Sequence, residues 1–229
     1  MLLAAQQPSY LPDIAFFSMM KCADVFVIVD DVRYSTHSNL NRTRIKSADG
    51  AQWLTVPVST KGKLGQFVKD VHIDPQHTWR HQHWRTLTVS YSVSPFFEEF
   101  EEELYNIYQK NWTDLFDLNV QLIKLLKNML GITTPVYFTS EHAPAENRDE
   151  KVHQLLTKFN CAGYLISARE KKLMDEEKLI NYQKSLLVHE FAHPVYHQRF
   201  GEFQAGLSII DLLMNEGYET SYIIEKASF

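Results

Sequence analysis

Apolar residues come in short continuous runs near both ends of the chain and at helical spacing through its middle. Residues 2–5 (LLAA) form one such run and predict a buried strand. QQPSYLP follows at 6–12, and its two prolines predict a loop or a helix start. Residues 14–22 have the apolar density of a helix. VFVIV at 25–29 is continuous and β-branched, which predicts a buried parallel strand ending at Asp30 and Asp31. The pattern then changes. Residues 41–74 read as a hairpin turning at Asp49-Gly50, with a further strand near 68–73. Helices are expected over 79–91, 95–109 and 113–130, the last closed by Gly131. Strands at 136–139 and 163–167 flank a helix at 147–159. A helical stretch at 176–183 precedes extended segments at 186–191 and 195–198. A helix at 207–215 stops near Gly217, and 221–229 is ambiguous.

Strands alternate with helices at both ends, around a helical block. The fold class expected is α/β: a mainly parallel sheet flanked by helices, a small β-rich insertion near 40–75 and a helical block near 79–130. No repeat or linker divides the chain, so one domain over 1–229 is expected. The 229 residues are 45% apolar, enough for a sizeable core without staples.

The net charge of −5 gives no basic field of the kind that binds nucleic acid. Cys22 and Cys161 stand alone, with neither metal spacing nor a disulfide framework, as in a reducing compartment. No apolar run reaches the roughly 18 residues that span a bilayer. The start lacks a basic signal region. A cytoplasmic protein that does not insert in membranes is expected. No Walker, dinucleotide-binding, nucleophile-elbow or Cys-x-x-Cys motif occurs, and no cofactor is expected.

HEFAH at 189–193 matches the zinc-protease pattern His-Glu-x-x-His formally. That chemistry needs both histidines on one helical face, yet Pro194 pushes His193 out of helical geometry. The pattern is read as an accident in an extended segment. A metal-dependent hydrolase using His81, His83, His193 or His197 stays as a competing reading.

Several segments carry candidate chemistry. Gln6, Gln7 and Tyr10 lie where a strand meets a helix, the place where ligands bind in open α/β sheets; the bland alternative is a proline-stiffened turn. Asp30 and Asp31 end the second strand, where a carboxylate binds ligand or simply caps a turn. Asn41, Arg42 and Arg44 enter the hairpin, and arginine is the preferred bidentate partner of phosphate; an edge strand guarded by charge is the alternative. Tyr34 and His37 are near enough in sequence to join them. The glutamates at 98–103 read as a solvated helix face.

The ordered series QQPSYLP, ADVFVIVDDVRY, NRTRI, WLTVPV, WRHQHWRTL, SYSVSPFF, GITTPVYFTSE, HPVYHQRFGEF and LSIIDLLMNEG resembles the WbqC-like protein family over nearly the whole chain. The chain departs from the family pattern at Gln6, usually histidine, at Asp13-Ile14-Ala15, at Thr43 and around Ser167-Ala168. The resemblance places His193 within a family motif but not His189 or Glu190. It implies a bacterial protein encoded with surface-polysaccharide (O-antigen) enzymes. The activity it implies is a transferase that modifies the amine of a nucleotide-linked amino sugar, for example by glycyl transfer. In that reading Asp30 or His193 accepts the proton. Arg42 and Arg44 hold phosphate. Gln6, Gln7, Tyr10, Asp31, Asn41, Tyr196 and Gln198 contact the substrate. Nucleotidyl transfer and a non-catalytic nucleotide- or carbohydrate-binding subunit are alternatives, and a homo-oligomer is left open.

Overall fold

The computed structural model describes residues 1–36, 38–60, 65–75 and 77–228. His37 therefore lies outside the described residues. Five parallel strands form the sheet: β1 (Leu2–Gln6), β2 (Val25–Ile28), β5 (Val136–Phe138), β6 (Gly163–Ser167) and β7 (Ser185–His189). Their order is β5-β2-β1-β6-β7. β3 (Arg42–Ser47) and β4 (Gly50–Thr55) pair antiparallel as a separate hairpin. The helices are α1 (Ile14–Cys22), α2 (Trp79–Tyr91), α3 (Phe97–Gln109), α4 (Leu115–Met129), α5 (Arg148–Lys158), α6 (Ala168–Lys171), α7 (Glu176–Asn181), α8 (Ile209–Glu216) and α9 (Thr220–Lys226).

The apolar runs form strands because both sheet faces are covered. Ala4, Phe26, Ile28 and Leu165 face one core, shared with α1, α4 and α8. Their neighbours Leu3, Val25, Val27 and Ile166 face the other, against Val152, Leu155 and Leu156 of α5 and Leu179 of α7. Alternate side chains thus enter opposite layers, and neither face reads as polar in sequence.

Local chemistry sets the ends of elements. Asp13, Asn147, Ser167, Asp175 and Ser208 each accept a backbone N–H in the first turn of a helix. The hairpin turns on Ala48-Asp49, one residue earlier than expected, because Gly50 already begins β4 with φ +106°. The strand expected near 68–73 is instead a 3-10 turn at Val68–Asp70. Ile73 and His72 make only isolated bridges, to Val58 and Asp114. Residues 195–198 are irregular rather than extended, because Tyr196 and Gln198 bond through their side chains.

Two buried polar groups fasten the helical block to the rest. Tyr10, fully buried, sits between His83 Nδ1 (2.9 Å) and Tyr108 Oη (2.6 Å). His83 donates its other ring N–H to the Thr55 carbonyl. Nδ1 must then accept from Tyr10, and Tyr10 from Tyr108. Asp211, also fully buried, accepts from Tyr91 (3.0 Å) and Tyr196 (2.7 Å); burial raises its pKa, and these bonds and the nearby charge of Lys46 offset that only in part. One carboxylate thus joins α2, α8 and the irregular segment after β7.

Burial drives the pKa of His83 down to about 4, and the hydrogen bond to Thr55 only partly offsets it. The unfolded chain therefore binds this proton more tightly than the folded one. The neutral ring contributes fully above pH 6.5, and its contribution is lost as pH falls from 6.5 to about 4. Between pH 7 and pH 4.5 the loss amounts to about 2 kcal/mol. Urea unfolding at both values should show His83→Gln losing less stability than wild type by about that amount. Equal losses in the two proteins would mean that the ring does not titrate as described.

Candidate functional site

β1 is central. The chain leaves it through α1 for β2 on one side, goes on to β5 beyond, then crosses to β6 on the other side and continues to β7. The direction of connection reverses between β1 and β6. At such a switch point the loops leaving the carboxyl ends part, and a crevice opens between them. The structure has that crevice. One cavity of about 300 Å³ is lined by Gln6, Gln7, Asp31, Lys151, Arg148 and Glu170, among others. A second, of about 410 Å³, shares Gln6, Gln7, Arg148 and Glu170 with it and adds Ser9, Asn39 and Arg169.

Different elements position these groups. Gln6 ends β1, and its amide lies 3.0 Å from the sulfur of Met19. Lys151 stands on the first turns of α5, whose Asn147 cap also lines the cavity. Its ammonium meets Asp31 at 2.8 Å and the Ala143 carbonyl at 3.1 Å. Arg148 meets Glu170 at 3.1 Å, and Ser167 Oγ lies 3.0 Å from the other oxygen of that carboxylate. Burial raises the Asp31 carboxyl, but the bonds from Lys151 and Thr139 and the Lys151 charge outweigh it, so the pKa falls below its ordinary value. Asp31 is therefore an ionised carboxylate facing the crevice. Tyr164 of β6 closes the apolar side; burial pushes its phenol up to about 12.

Not every expected site residue reaches the crevice. Asp30, 2% exposed, accepts from Ser140 N (2.9 Å) and Ser140 Oγ (2.5 Å), and its own backbone N–H donates to Thr139 Oγ1 (3.1 Å). It latches the 3-10 turn Thr139–Glu141 onto the end of β2 and does not line the cavities. His193 is a clamp of the same kind. Nδ1 lies 2.9 Å from the Pro194 carbonyl, and Nε2 accepts from Gly206 N at 2.9 Å. Both ring nitrogens are engaged, which selects the neutral Nδ1–H tautomer. Tyr10 belongs to the core, and its hydroxyl is enclosed by His83 and Tyr108. Asn41 donates to the Val56 carbonyl at 2.8 Å and holds the hairpin. Tyr196 binds Asp211, and Gln198 clamps Gln204 through both amide atoms. Asp30 and His193, expected as proton acceptors, and Tyr10, Asn41, Tyr196 and Gln198, expected to contact the substrate, thus all make structural bonds.

Gln6, Gln7 and Asp31 do face the crevice. Arg42 and Arg44 lie in a neighbouring depression with Ser9 and Asn39. Tyr34 is close enough to feel the charge of Arg42. Arg148, Lys151, Arg169 and Glu170 were not singled out in the sequence. Their only signal was a capped, charge-dense helix start soon after a strand.

The histidines are dispersed. His189 ends β7 and meets Ser18 Oγ at 2.8 Å, so HEFAH is a strand end and a loop, not a helix. On α2, His83 enters the core while His81 is exposed, and His197 is exposed elsewhere. Among the described residues, no three His, Cys, Asp or Glu side chains come together as a metal site.

Comparison with known proteins agrees with the motif series. The family model described as "WbqC-like protein family" matches residues 7–223. The uncharacterized protein Rv1507c of Mycobacterium tuberculosis is 32% identical over 220 residues, covering 94% of each chain. No solved structure matches. Among the described residues no helix is long and apolar enough to cross a membrane. The match across almost the full sequence, together with the relative covered end to end, makes this chain a member of the WbqC-like protein family.

Proposed function

We propose that this protein is a cytoplasmic transferase of bacterial surface-polysaccharide (O-antigen) biosynthesis. It acts on the amine of a nucleotide-linked amino sugar, with an aminoacyl group such as glycyl as the group transferred. The observation that carries the reading is the mixed charge of the switch-point cleft. Lys151 is set against Asp31 and Arg148 against Glu170, with the amides of Gln6 and Gln7 between them. Amides and paired charges suit sugar hydroxyls, which both donate and accept. The ionised Asp31 suits an amine.

In the reaction the amine nitrogen attacks the carbonyl carbon of an activated acyl donor. The carbon–nitrogen bond forms, the bond to the donor's leaving group breaks, and the amine proton leaves with that group. Negative charge develops on the carbonyl oxygen meanwhile. Lys151 uses two of its three N–H donors on Asp31 and Ala143, and the third is available to that oxygen.

One observation favours a second reading. Asp30 and His193, the expected proton acceptors, are both engaged in structural bonds, and no described histidine lines the cleft. A binding subunit that presents the sugar to a partner enzyme needs no base. Turnover of uridine diphosphate glucosamine with an activated acyl donor by the isolated protein selects the transferase; binding without turnover selects the subunit.

Calorimetric titration with uridine diphosphate glucosamine should show Asp31→Asn and Arg148→Gln each weakening binding about tenfold, as expected for loss of one charge-assisted hydrogen bond. Unchanged affinity in both would place the ligand elsewhere. Asp30→Ala should behave differently. It leaves buried donors of the 139–141 turn unpaired, so chemical denaturation should show a loss of about 2 kcal/mol, with affinity kept in the folded fraction. Full stability with abolished turnover would instead restore Asp30 as the base.

A further inference from the structure

The crevice does not end at the sheet. Ser9 and Asn39 line both its outer cavity and a shallow depression beneath the hairpin, so the two adjoin at these residues. The two ends differ in how their charges are paired. At the sheet, Lys151 and Arg148 are paired with carboxylates. At the hairpin, Arg42 and Arg44 make no ion pair among the described residues, and Asp13 is the carboxylate that lines the same depression.

The register of the hairpin builds this second end. Arg42 pairs with Thr55 and Arg44 with Trp53, so Arg42, Arg44 and Trp53 share one face. Thr43, Ile45 and Leu54 occupy the other, buried face. The Arg42 guanidinium lies 4.6 Å from the Trp53 ring centre and that of Arg44 lies 5.8 Å from it, while Trp53 stays 48% exposed. Arg44 is fixed by donating to the carbonyls of Ala205 (3.1 Å) and Gly206 (3.0 Å). Gly206 has φ +69°, which strains any residue with a side chain, and a Cβ there would stand 2.8 Å from Nη2 of Arg44 and push that guanidinium aside. Arg42 Nε is shielded and has no hydrogen-bond partner, so the terminal nitrogens of its guanidinium are the donors left for an acceptor. The hairpin is tied to the segment after β1 by Thr43 Oγ1 to the Leu11 carbonyl (2.9 Å) and by Tyr10 N to the Leu40 carbonyl (3.1 Å).

We infer that Arg42, Arg44 and Trp53 form an anion platform for the phosphate groups of the ligand, which passes Ser9 and Asn39 with its sugar end in the cleft between β1 and β6. The inference rests on the amino-sugar reading for the occupant of the cleft, but the platform itself binds phosphate whether or not a sugar is attached. Two planar guanidiniums suit a diphosphate better than ammoniums would. The compensated end takes the neutral, hydroxyl-rich part.

The test is a nuclear magnetic resonance titration of the isotope-labelled full chain with sodium pyrophosphate and, separately, with glucosamine. The Trp53 indole signal, identified by its loss in Trp53→Phe, reports the platform. Pyrophosphate should move that signal, and Arg42→Gln should weaken its binding at least about tenfold, Arg42→Lys less. Glucosamine binding should survive Arg42→Gln and be weakened by Asp31→Asn. Pyrophosphate binding that is unchanged in Arg42→Gln but lost in Arg148→Gln moves the phosphate to the sheet end and overturns the inference, with the cleft still a ligand site. Failure of pyrophosphate to bind wild type overturns it outright. Pyrophosphate that moves Trp53 while glucosamine does not bind supports the platform and sinks the sugar reading of the cleft.

Discussion

The parallel pairing of β1 with β2 on one side and β6 on the other is the constraint on which the rest of the structure depends. Parallel strands cannot be joined by tight turns, so each connection is carried over a face of the sheet and covers it. All five strands therefore point their carboxyl ends the same way, and everything that leaves those ends gathers along one edge. The reversal at β1 keeps the loops apart there. A crevice is thus a consequence of strand order before any side chain is specified. Side chains then decide its character. The QQPSYLP segment leaves β1 along the gap, and α5 and α6 bring charge to the opposite wall.

Buried polar groups hold that edge in shape without taking part in it. Asp30 and Asp31 are adjacent in the chain and do opposite things. Asp30 turns into the protein and fixes the 139–141 turn; Asp31 faces the crevice and is kept ionised by Lys151. The same division separates His193, a backbone clamp, from the residues that line the crevice. Carboxylates and imidazoles at strand ends are suited to either work, and burial decides between them.

That division explains what could be read from the sequence. β2 was legible because a β-branched run with no polar alternation leaves little choice but a doubly covered strand, and β1 because its short apolar run stops at two prolines. Helices 79–91 and 14–22 were legible in apolar spacing, and Asp49-Gly50 located the hairpin to within a residue. The segment at 68–73 misled because its buried valines and isoleucine pack from a 3-10 turn. Gln6, Gln7 and Asp31 stood out in the sequence because they sit at strand ends, and they line the crevice. Arg148, Lys151, Arg169 and Glu170 did not stand out, because a charged stretch looks like any solvated helix start until β6 is known to lie beside β1. That adjacency is a long-range fact with no local trace. Tyr10, Tyr196 and Gln198 erred the other way: their residue types suit ligand contact, yet tertiary packing turns them inward.

The central claim is that the ligand occupies the switch point between β1 and β6, and its most direct test is a crystal structure of the protein grown with uridine diphosphate glucosamine. The account predicts density along residues 6–9, with the amine beside Asp31 and the sugar between Lys151 and Glu170. Density at any other surface, with this crevice empty, would contradict it.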